Sequence, residues 1–583
     1  MRKQLAALAL ALILPLSACS AVPVEDQRPE PSQRLGDIAY VPLDDRPDNW
    51  ERVEYLAASL GYRLLLPEEG SFRTALNGQP LNPNGTQSGD RAALYEWVLA
   101  QEAAGCDRYL LSLDQLLSGG LVNSRAMVEP EDVTLSDGTV LTESELLEKL
   151  LTALAADPNN RVYLLESVMR LAPTVGYRHW TLEEYNALRA YGAAPRPAPE
   201  ALSLAAVEEN YPLGADGAAL SLTDYGLTAE EVTEYLSARS RKLALSEEML
   251  TLCGALSGGT FRVLVGIDDS SEAESIQKNE IAYLSSLLRE GDAILSGVDD
   301  LAFKALTRLF LEETGWYGGE TPAVRLRCYG GTEDRPACEY DYKPLTEIVA
   351  EHLAYFGLRE AGEGEDAALE VLILTQPEEE SRKAEYVDAL AAQLRENEAS
   401  AVPTALLDAG NGRYDAALQT RLLKDCRLGQ LLSYSGFLDM AIVTGTALSH
   451  AAARYAWLCQ GRQDAAADYA FRKTLTASLV LDMGYKHLVR PELLPYVREQ
   501  GGTPDNFCAG AVSTEELIPW LTKKMDKACA PLLRNLSASN YLTDLSGSLS
   551  GWGGVALENW RFPWQRAFEV RMDIRLAAPE SAH

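Results

Sequence analysis

Apolar positions along the 583-residue chain fall into short β-type runs, each followed by a stretch with helical spacing. The runs Asp37 to Leu43, Tyr62 to Leu66, Arg108 to Leu113, Arg161 to Leu165 and Arg262 to Ile267 predict strands. A second set follows at Ala293 to Ser296, Ala323 to Cys328, Leu369 to Thr375, Val402 to Leu407 and Gln430 to Tyr434. Between them Ala92 to Ala104, Ile276 to Arg289, Lys343 to Phe356 and Glu385 to Glu396 predict helices. Alternating strands and helices imply an α/β fold, mainly parallel sheets with helices on both faces. The strands outnumber those of an eight-stranded barrel. The expected architecture is therefore two Rossmann-like lobes around a cleft, with an elaborated β/α barrel as the alternative.

On this reading residues 36–290 form a first α/β lobe, 291–440 a second, and 441–583 a mainly helical C-terminal region. The alternation from Phe562 to Val570 predicts that this region ends in a strand. Two insertions interrupt the first lobe. Glu129 to Leu154 reads as a turn and a helix, and residues 180–256 as a longer helical segment expected to cap the site.

The N-terminus has a different pattern. Met1-Arg2-Lys3, the apolar run Leu5 to Leu16 and Leu16-Ser17-Ala18-Cys19 make a basic start, a short apolar core and small residues before a cleavage point. The run is too short for a spanning helix. Cys19 after Leu-Ser-Ala resembles a bacterial lipobox. That resemblance implies a signal peptide over residues 1–18, lipid on the Cys19 sulfur and a cell-membrane anchor on the extracytoplasmic side. Residues 19–35, with Pro23, Pro29 and Pro31, read as a tether.

Composition is that of a globular protein, 47% hydrophobic and 23% charged. The net charge of −33 argues against nucleic acid or anionic lipid as a partner, since both demand clustered Lys and Arg. The nine cysteines include no C-x-x-C pair, and the five histidines include no H-E-x-x-H, so a zinc site has no sequence signature. Neither a G-x-S-x-G elbow nor a phosphate-binding glycine loop occurs.

Acidic residues recur just after the expected strands: Asp44-Asp45-Arg46, Asp114, Asp268-Asp269, Asp299-Asp300 and Asp408. Carboxyl ends of parallel strands form the ligand site of α/β folds. Each aspartate taken singly serves equally well as a helix cap; the set favours a cleft. Adjacent carboxylates such as Asp268 and Asp269 can divide labour, one orienting a substrate group while the other transfers a proton. Some glycosidases use the acetamido group of their own substrate as nucleophile, and an Asp-Asp pair suits that variant. Arg46 and Arg125 offer forked donors to an anionic or polyhydroxylated ligand. Asn411 and the ring of Trp564 complete the expected pocket. Clustered aspartates also permit a divalent cation, although no cofactor is required and no ligand set for a metal stands out.

Several motifs occur together, in order. They are Val41-Pro42-Leu43-Asp44-Asp45-Arg46-Pro47; Ser112-Leu113-Asp114 with Gly119-Gly120-Leu121 and Ser124-Arg125; and Gly266-x-Asp268-Asp269. Then come Gly297-x-Asp299-Asp300, Asp408-x-x-Asn411-Gly412, Gly445-Thr446-Ala447-Leu448, Asp482-x-Gly484-Tyr485 and Phe562-Pro563-Trp564-Gln565-Arg566. This series resembles the bacterial domain-of-unknown-function family 4127 over nearly the whole mature chain. The resemblance implies no activity. It also exposes two departures, Gly297-Val298-Asp299-Asp300 where the family tends to Gly-Ala-Asp-Glu, and Gly436-Phe437-Leu438-Asp439 where it favours Gly-Trp-Asn-Thr.

The leading expectation is an exported, lipid-anchored carbohydrate-active hydrolase, a glycosidase of acetamido-sugar type. Asp268 would orient the participating group and Asp269 act as general acid/base. Asp44, Asp45, Arg46, Asp114, Arg125, Asp299, Asp300, Asp408, Asn411 and Trp564 would bind the carbohydrate or other small polar ligand. The alternatives are a non-catalytic binding lipoprotein and a divalent-metal-dependent hydrolase. Oligomeric state is left open.

Overall fold

A computed structural model describes residues 26–32, 34–127, 131–256, 259–436, 440–507 and 512–578. The segment expected to be a signal peptide, Cys19 and the departing positions Phe437, Leu438 and Asp439 lie outside these. Eleven strands build two open sheets. The first contains β1 (Gly36–Val41), β2 (Tyr62–Leu65), β3 (Arg108–Ser112), β4 (Arg161–Val168), β5 (Phe261–Ile267) and β6 (Ala293–Ser296). The second contains β7 (Ala323–Tyr329), β8 (Arg359–Glu360), β9 (Leu369–Thr375), β10 (Thr404–Ala409) and β11 (Ser433–Gly436).

Every pairing within both sheets is parallel. The spatial orders are β2-β1-β3-β4-β5-β6 and β8-β7-β9-β10-β11. Both sheets thus use the 2-1-3-4-5 winding of flavodoxin-type folds, in which the order reverses between the first and third strands. Neither sheet closes on itself, so the barrel alternative is overturned. The strands form because their sequences are apolar on both sides. In β4, RVYLLESV, every residue after Arg161 is buried, the pattern of a parallel strand covered by helices.

One apolar core joins the sheets. The helices Leu301–Glu313 and Met440–Cys459 pack on each other, and their buried residues sit with Tyr40, Leu110 and Leu264 of the first sheet and Val371, Ile373 and Leu407 of the second. The C-terminal region then packs on the second sheet, sharing a core with Leu372, Leu374 and Leu406, and reaches the first lobe through a helix. Helix Ala465–Ser478 packs on helix Glu51–Ser59 and runs without a break into an eleven-residue π-helix, Leu479–Val489.

Four sequence expectations change here. The boundary expected between residues 290 and 291 falls after β6, because Ala293–Ser296 pairs with β5 and completes the first sheet. The stretch from Phe562 to Val570 is a loop between two antiparallel strands, β12 (Val555–Arg561) and β13 (Arg571–Leu576). Its alternation arises because Phe562, Trp564 and Ala567 turn inward from irregular backbone. Within the expected tether, residues 26–32 are docked: Asp26 accepts from Tyr469 Oη at 2.5 Å, and Ser32 N donates to Asp464 at 2.9 Å. The insertion 180–256 is more than a cap. Its helix Ala229–Leu256 packs against the first lobe with Arg239 and Lys242 buried, and its first helix, Leu182–Ala193, brings Tyr185 to the site.

Candidate functional site

The loop leaving β1 carries Asp44, Asp45 and Arg46, all buried. Arg46 is held on both sides. Its Nε donates to Asp44 at 3.0 and 2.9 Å, and its Nη1 and Nη2 donate to the two oxygens of Asp299 at 2.8 and 2.6 Å. Asp299 arrives from the end of β6, so this bidentate pair ties two strand ends together. The guanidinium lies 4.8 Å from the Trp564 ring centre, with Glu569 3.6 Å away.

Beyond β5, Asp268 ion-pairs with Arg125, which follows the turn Gly119-Gly120 after β3. Gly120 has φ 128°, a conformation that requires glycine at the entry to the short helix Leu121–Ser124 that delivers Arg125. Asp268 Oδ1 also accepts the Asp269 N–H at 2.9 Å. Burial raises the proton affinity of Asp268, the Arg125 charge opposes this, and the neighbouring Asp269 adds to it. Asp269 points the other way, toward Arg170 Nη1 at 3.0 Å, and its side chain is 22% exposed. Arg170 comes from the end of β4 and lies 5.6 Å from the Tyr185 ring centre. Tyr185 and Tyr340 both lie within electrostatic reach of Asp269 and are half-buried at the rim. Arg125 in turn feels Asp269 and Asp299.

Five strand ends of the first sheet, β1, β3, β4, β5 and β6, therefore meet in one cluster of alternating acids and bases. Asp44, Arg46, Arg125, Asp268, Asp269 and Asp299 belong to it. Arg170, Tyr185, Tyr340 and Glu569 also belong to it and have no counterpart in the sequence reading. Arg170 stands two residues beyond β4, as Asp269 does beyond β5, so the strand-end rule applied to bases as well as acids would have found it.

The other candidates lie elsewhere. Asp45 is beneath the cluster, 1% exposed, its Oδ1 accepting from Trp564 Nε1 at 2.8 Å and Thr74 N at 3.1 Å. Burial pushes its pKa up to about 7, Trp564 holds it down somewhat, and Asp44 pushes it further up. Trp564 is itself 1% exposed and occupied by Asp45 and Arg46, so it offers a ligand no open face.

Asp114 forms a separate buried group with Ser167 at 3.1 Å and Lys242 Nζ at 2.6 Å; the same Lys242 also pairs with Glu166. Asp300 turns away from Asp299 to pair with Lys304 at 2.8 Å, under Gly445. Burial raises its pKa to about 7 against the Lys304 charge.

Asp408 is buried in β10, near His487 and Tyr434 and accepting from Gly410 N at 3.0 Å, while Asn411 makes a left-handed turn at φ 46°. Beside it the π-helix lays Asp482 onto Ser435 Oγ at 3.1 Å and Gly436 N at 3.2 Å. This second group adjoins the first through Asp48, which pairs with Arg52 and lies 3.9 Å from Lys486.

Among the described residues no group of three or more His, Cys, Asp or Glu side chains is arranged to hold a metal ion, and no helix is long and apolar enough to cross a membrane. The carboxylates of the cluster meet arginines, which leaves a hard cation no convergent oxygen set. No curated protein and no solved structure matches the chain. A family model does, over residues 38–573, and that span contains every residue of the cluster and both sheets except the first two residues of β1. The chain belongs to the family described as protein of unknown function DUF4127.

Proposed function

We propose that the cluster at the carboxyl ends of the first sheet is the site of a carbohydrate-active hydrolase, with Asp269 as the reacting carboxyl group. The observation that carries this reading is the unequal environment of two adjacent carboxylates. Asp268 is buried against Arg125, whereas Asp269 is partly exposed beside Tyr185 and Tyr340. Asp269 is thus the member of the pair that a ligand can reach. It takes the general acid/base role, while Asp268, held by Arg125, fixes the loop through the Asp269 N–H. The two tyrosines supply apolar faces with polar tips, which suit a sugar ring. Arg170 supplies donors for its hydroxyl or carbonyl oxygens.

The test is a panel of chromogenic N-acetylated and plain glycosides, with and without EDTA, on the native chain and on Asp268→Asn and Asp269→Asn. Turnover that survives EDTA and falls by about 100-fold or more in Asp269→Asn supports the reading. Turnover lost to chelator and restored by Mg²⁺, Mn²⁺ or Ca²⁺ assigns a metal-dependent hydrolase instead. A second reading, a non-catalytic binding protein, is favoured by one observation: each carboxylate of the cluster already has a cationic partner, the arrangement of a recognition surface. Glycan binding retained in Asp269→Asn, with no turnover on any substrate, selects that reading.

The same proposal includes export and anchoring through a lipidated Cys19, supported by Met1-Arg2-Lys3, the apolar run and Leu16-Ser17-Ala18-Cys19. Cys19→Ala should move the protein from the membrane to the soluble fraction, and intact-mass measurement of the native N-terminus should show the added lipid.

A further inference from the structure

A chain with a net charge of −33 should repel anionic surfaces everywhere. One cavity reverses that sign. It lies among helix Asp415–Asp425, the end of the π-helix Leu479–Val489 and helix Thr514–Ser537, away from the Asp268–Asp269 cluster, and has a volume of about 640 Å³. Its lining holds five cations, Lys424, Arg427, Lys524, Lys527 and Arg534, and one carboxylate, Glu492. Glu492 is engaged by Lys524. Lys424, Arg427, Lys527 and Arg534 make no ion pair among the described residues, and all four are exposed. They come from two helices and the turn between β10 and β11, so tertiary packing rather than a basic sequence run brings them together.

The rest of the lining is of another kind. Leu423, Leu488, Val489, Ala528 and Pro531 give the cavity an apolar bed beside the cations. A small hydrophilic anion is served by the cations alone and gains nothing from that bed. An anion attached to a hydrocarbon chain uses both, with the charge among the four cations and the chain on the leucines and proline.

We propose that this cavity binds the phosphodiester headgroup and the first part of the acyl chains of an anionic membrane lipid. The volume falls within the range of small-molecule sites. The surrounding acidity makes the assignment directional, because this face presents unpaired cations on a chain that is acidic as a whole. The inference stands apart from the hydrolase reading, since it uses none of the residues of the first cluster.

The test is calorimetric titration of dihexanoylphosphatidylglycerol, below its micelle concentration, into the full-length chain carrying Cys19→Ala so that no acyl anchor competes. Inorganic phosphate and dihexanoylphosphatidylcholine are titrated in parallel. The proposal expects saturable binding of the anionic lipid, weaker by about thirtyfold in the Lys527→Gln/Arg534→Gln double variant. Both side chains are exposed, so the variant's thermal midpoint should equal that of the parent. Phosphate binding as tightly as the lipid would assign the cavity to soluble anions and overturn the lipid. Equal binding of phosphatidylcholine would overturn the role of charge, and undiminished binding in the double variant would overturn the site.

Discussion

Asp45→Asn should stabilise the protein at neutral pH and remove part of its pH dependence. Asp45 is 1% exposed and has a folded-state pKa of about 7, against an ordinary value of 3.8. Between those values the unfolded chain has lost the proton and the folded one retains it. Stability therefore falls as pH rises through that window and is level above it. The full shift of about 3 units corresponds to about 4 kcal/mol, of which about 2.5 kcal/mol is lost between pH 5 and pH 8.

Asparagine is a fair mimic of the protonated acid here, because both Trp564 Nε1 and Thr74 N donate to the same oxygen, Oδ1. An amide carbonyl keeps both bonds and its NH₂ replaces the acid proton. Asp300 has a similarly raised pKa, so the wild-type slope is composite, and the quantity that isolates Asp45 is the difference between wild type and variant. Urea denaturation at pH 5 and pH 8 measures it. The variant should gain on the wild type by about 2.5 kcal/mol between the two. Equal pH slopes, or a variant less stable than wild type at pH 8, would refute the argument.

Other outcomes follow from the same geometry. Lys242→Met leaves Asp114 and Glu166 facing each other in a buried site, and urea denaturation at pH 7 should show a loss of about 3–5 kcal/mol. Gly445→Ala would place a methyl group 1.8 Å from Asp300 Oδ2, 2.5 Å from Lys304 Cε and 2.8 Å from His352 Nε2. It should cost about 1–3 kcal/mol or more by the same assay, because Lys304 and His352 sit in packed helices and Asp300 is buried at the start of the first of them. Tyr340→Ala should weaken glycan binding, or raise KM, by about tenfold while leaving the thermal midpoint unchanged. An unchanged affinity would remove that tyrosine from the site.

The strands were legible for a physical reason. Parallel strands covered on both faces read as unbroken apolar runs, and β3, β4, β5 and β9 are of that kind. The missed edge strand β8 has two residues, Arg359 and Glu360, both exposed, and no hydrophobic signal. The 562–570 loop misled because Trp564 faces inward to reach Asp45, 519 residues away, and such a contact imitates the inward face of a strand. Strand-end acids were equally legible, since their position follows from topology alone. Their partners were not. Lys242 reaches Asp114 across 128 positions, and nothing in the local sequence of helix Ala229–Leu256 distinguishes it from a solvated lysine.

That difference bears on how the cluster stays folded without a ligand. Five strand ends bearing only carboxylates would repel one another in a region of low dielectric. The chain interleaves them with Arg46, Arg125 and Arg170, each delivered by a different strand end, so that Asp44, Asp268, Asp269 and Asp299 each face a cation. A ligand then competes with an existing ion pair, and the pair most open to competition is the least buried one. By exposure that pair is Asp269 with Arg170, whose side chains are 22% and 14% exposed, against 7% and 8% for Asp268 with Arg125. Breaking the first pair exposes a carboxyl group and a guanidinium together at the rim, next to Tyr185 and Tyr340. Breaking the second would strand a buried charge at a cost of several kcal/mol. The arrangement therefore leaves Asp269 and Arg170 as the groups that can change partners, with the rest of the cluster as the rigid frame that holds them in place.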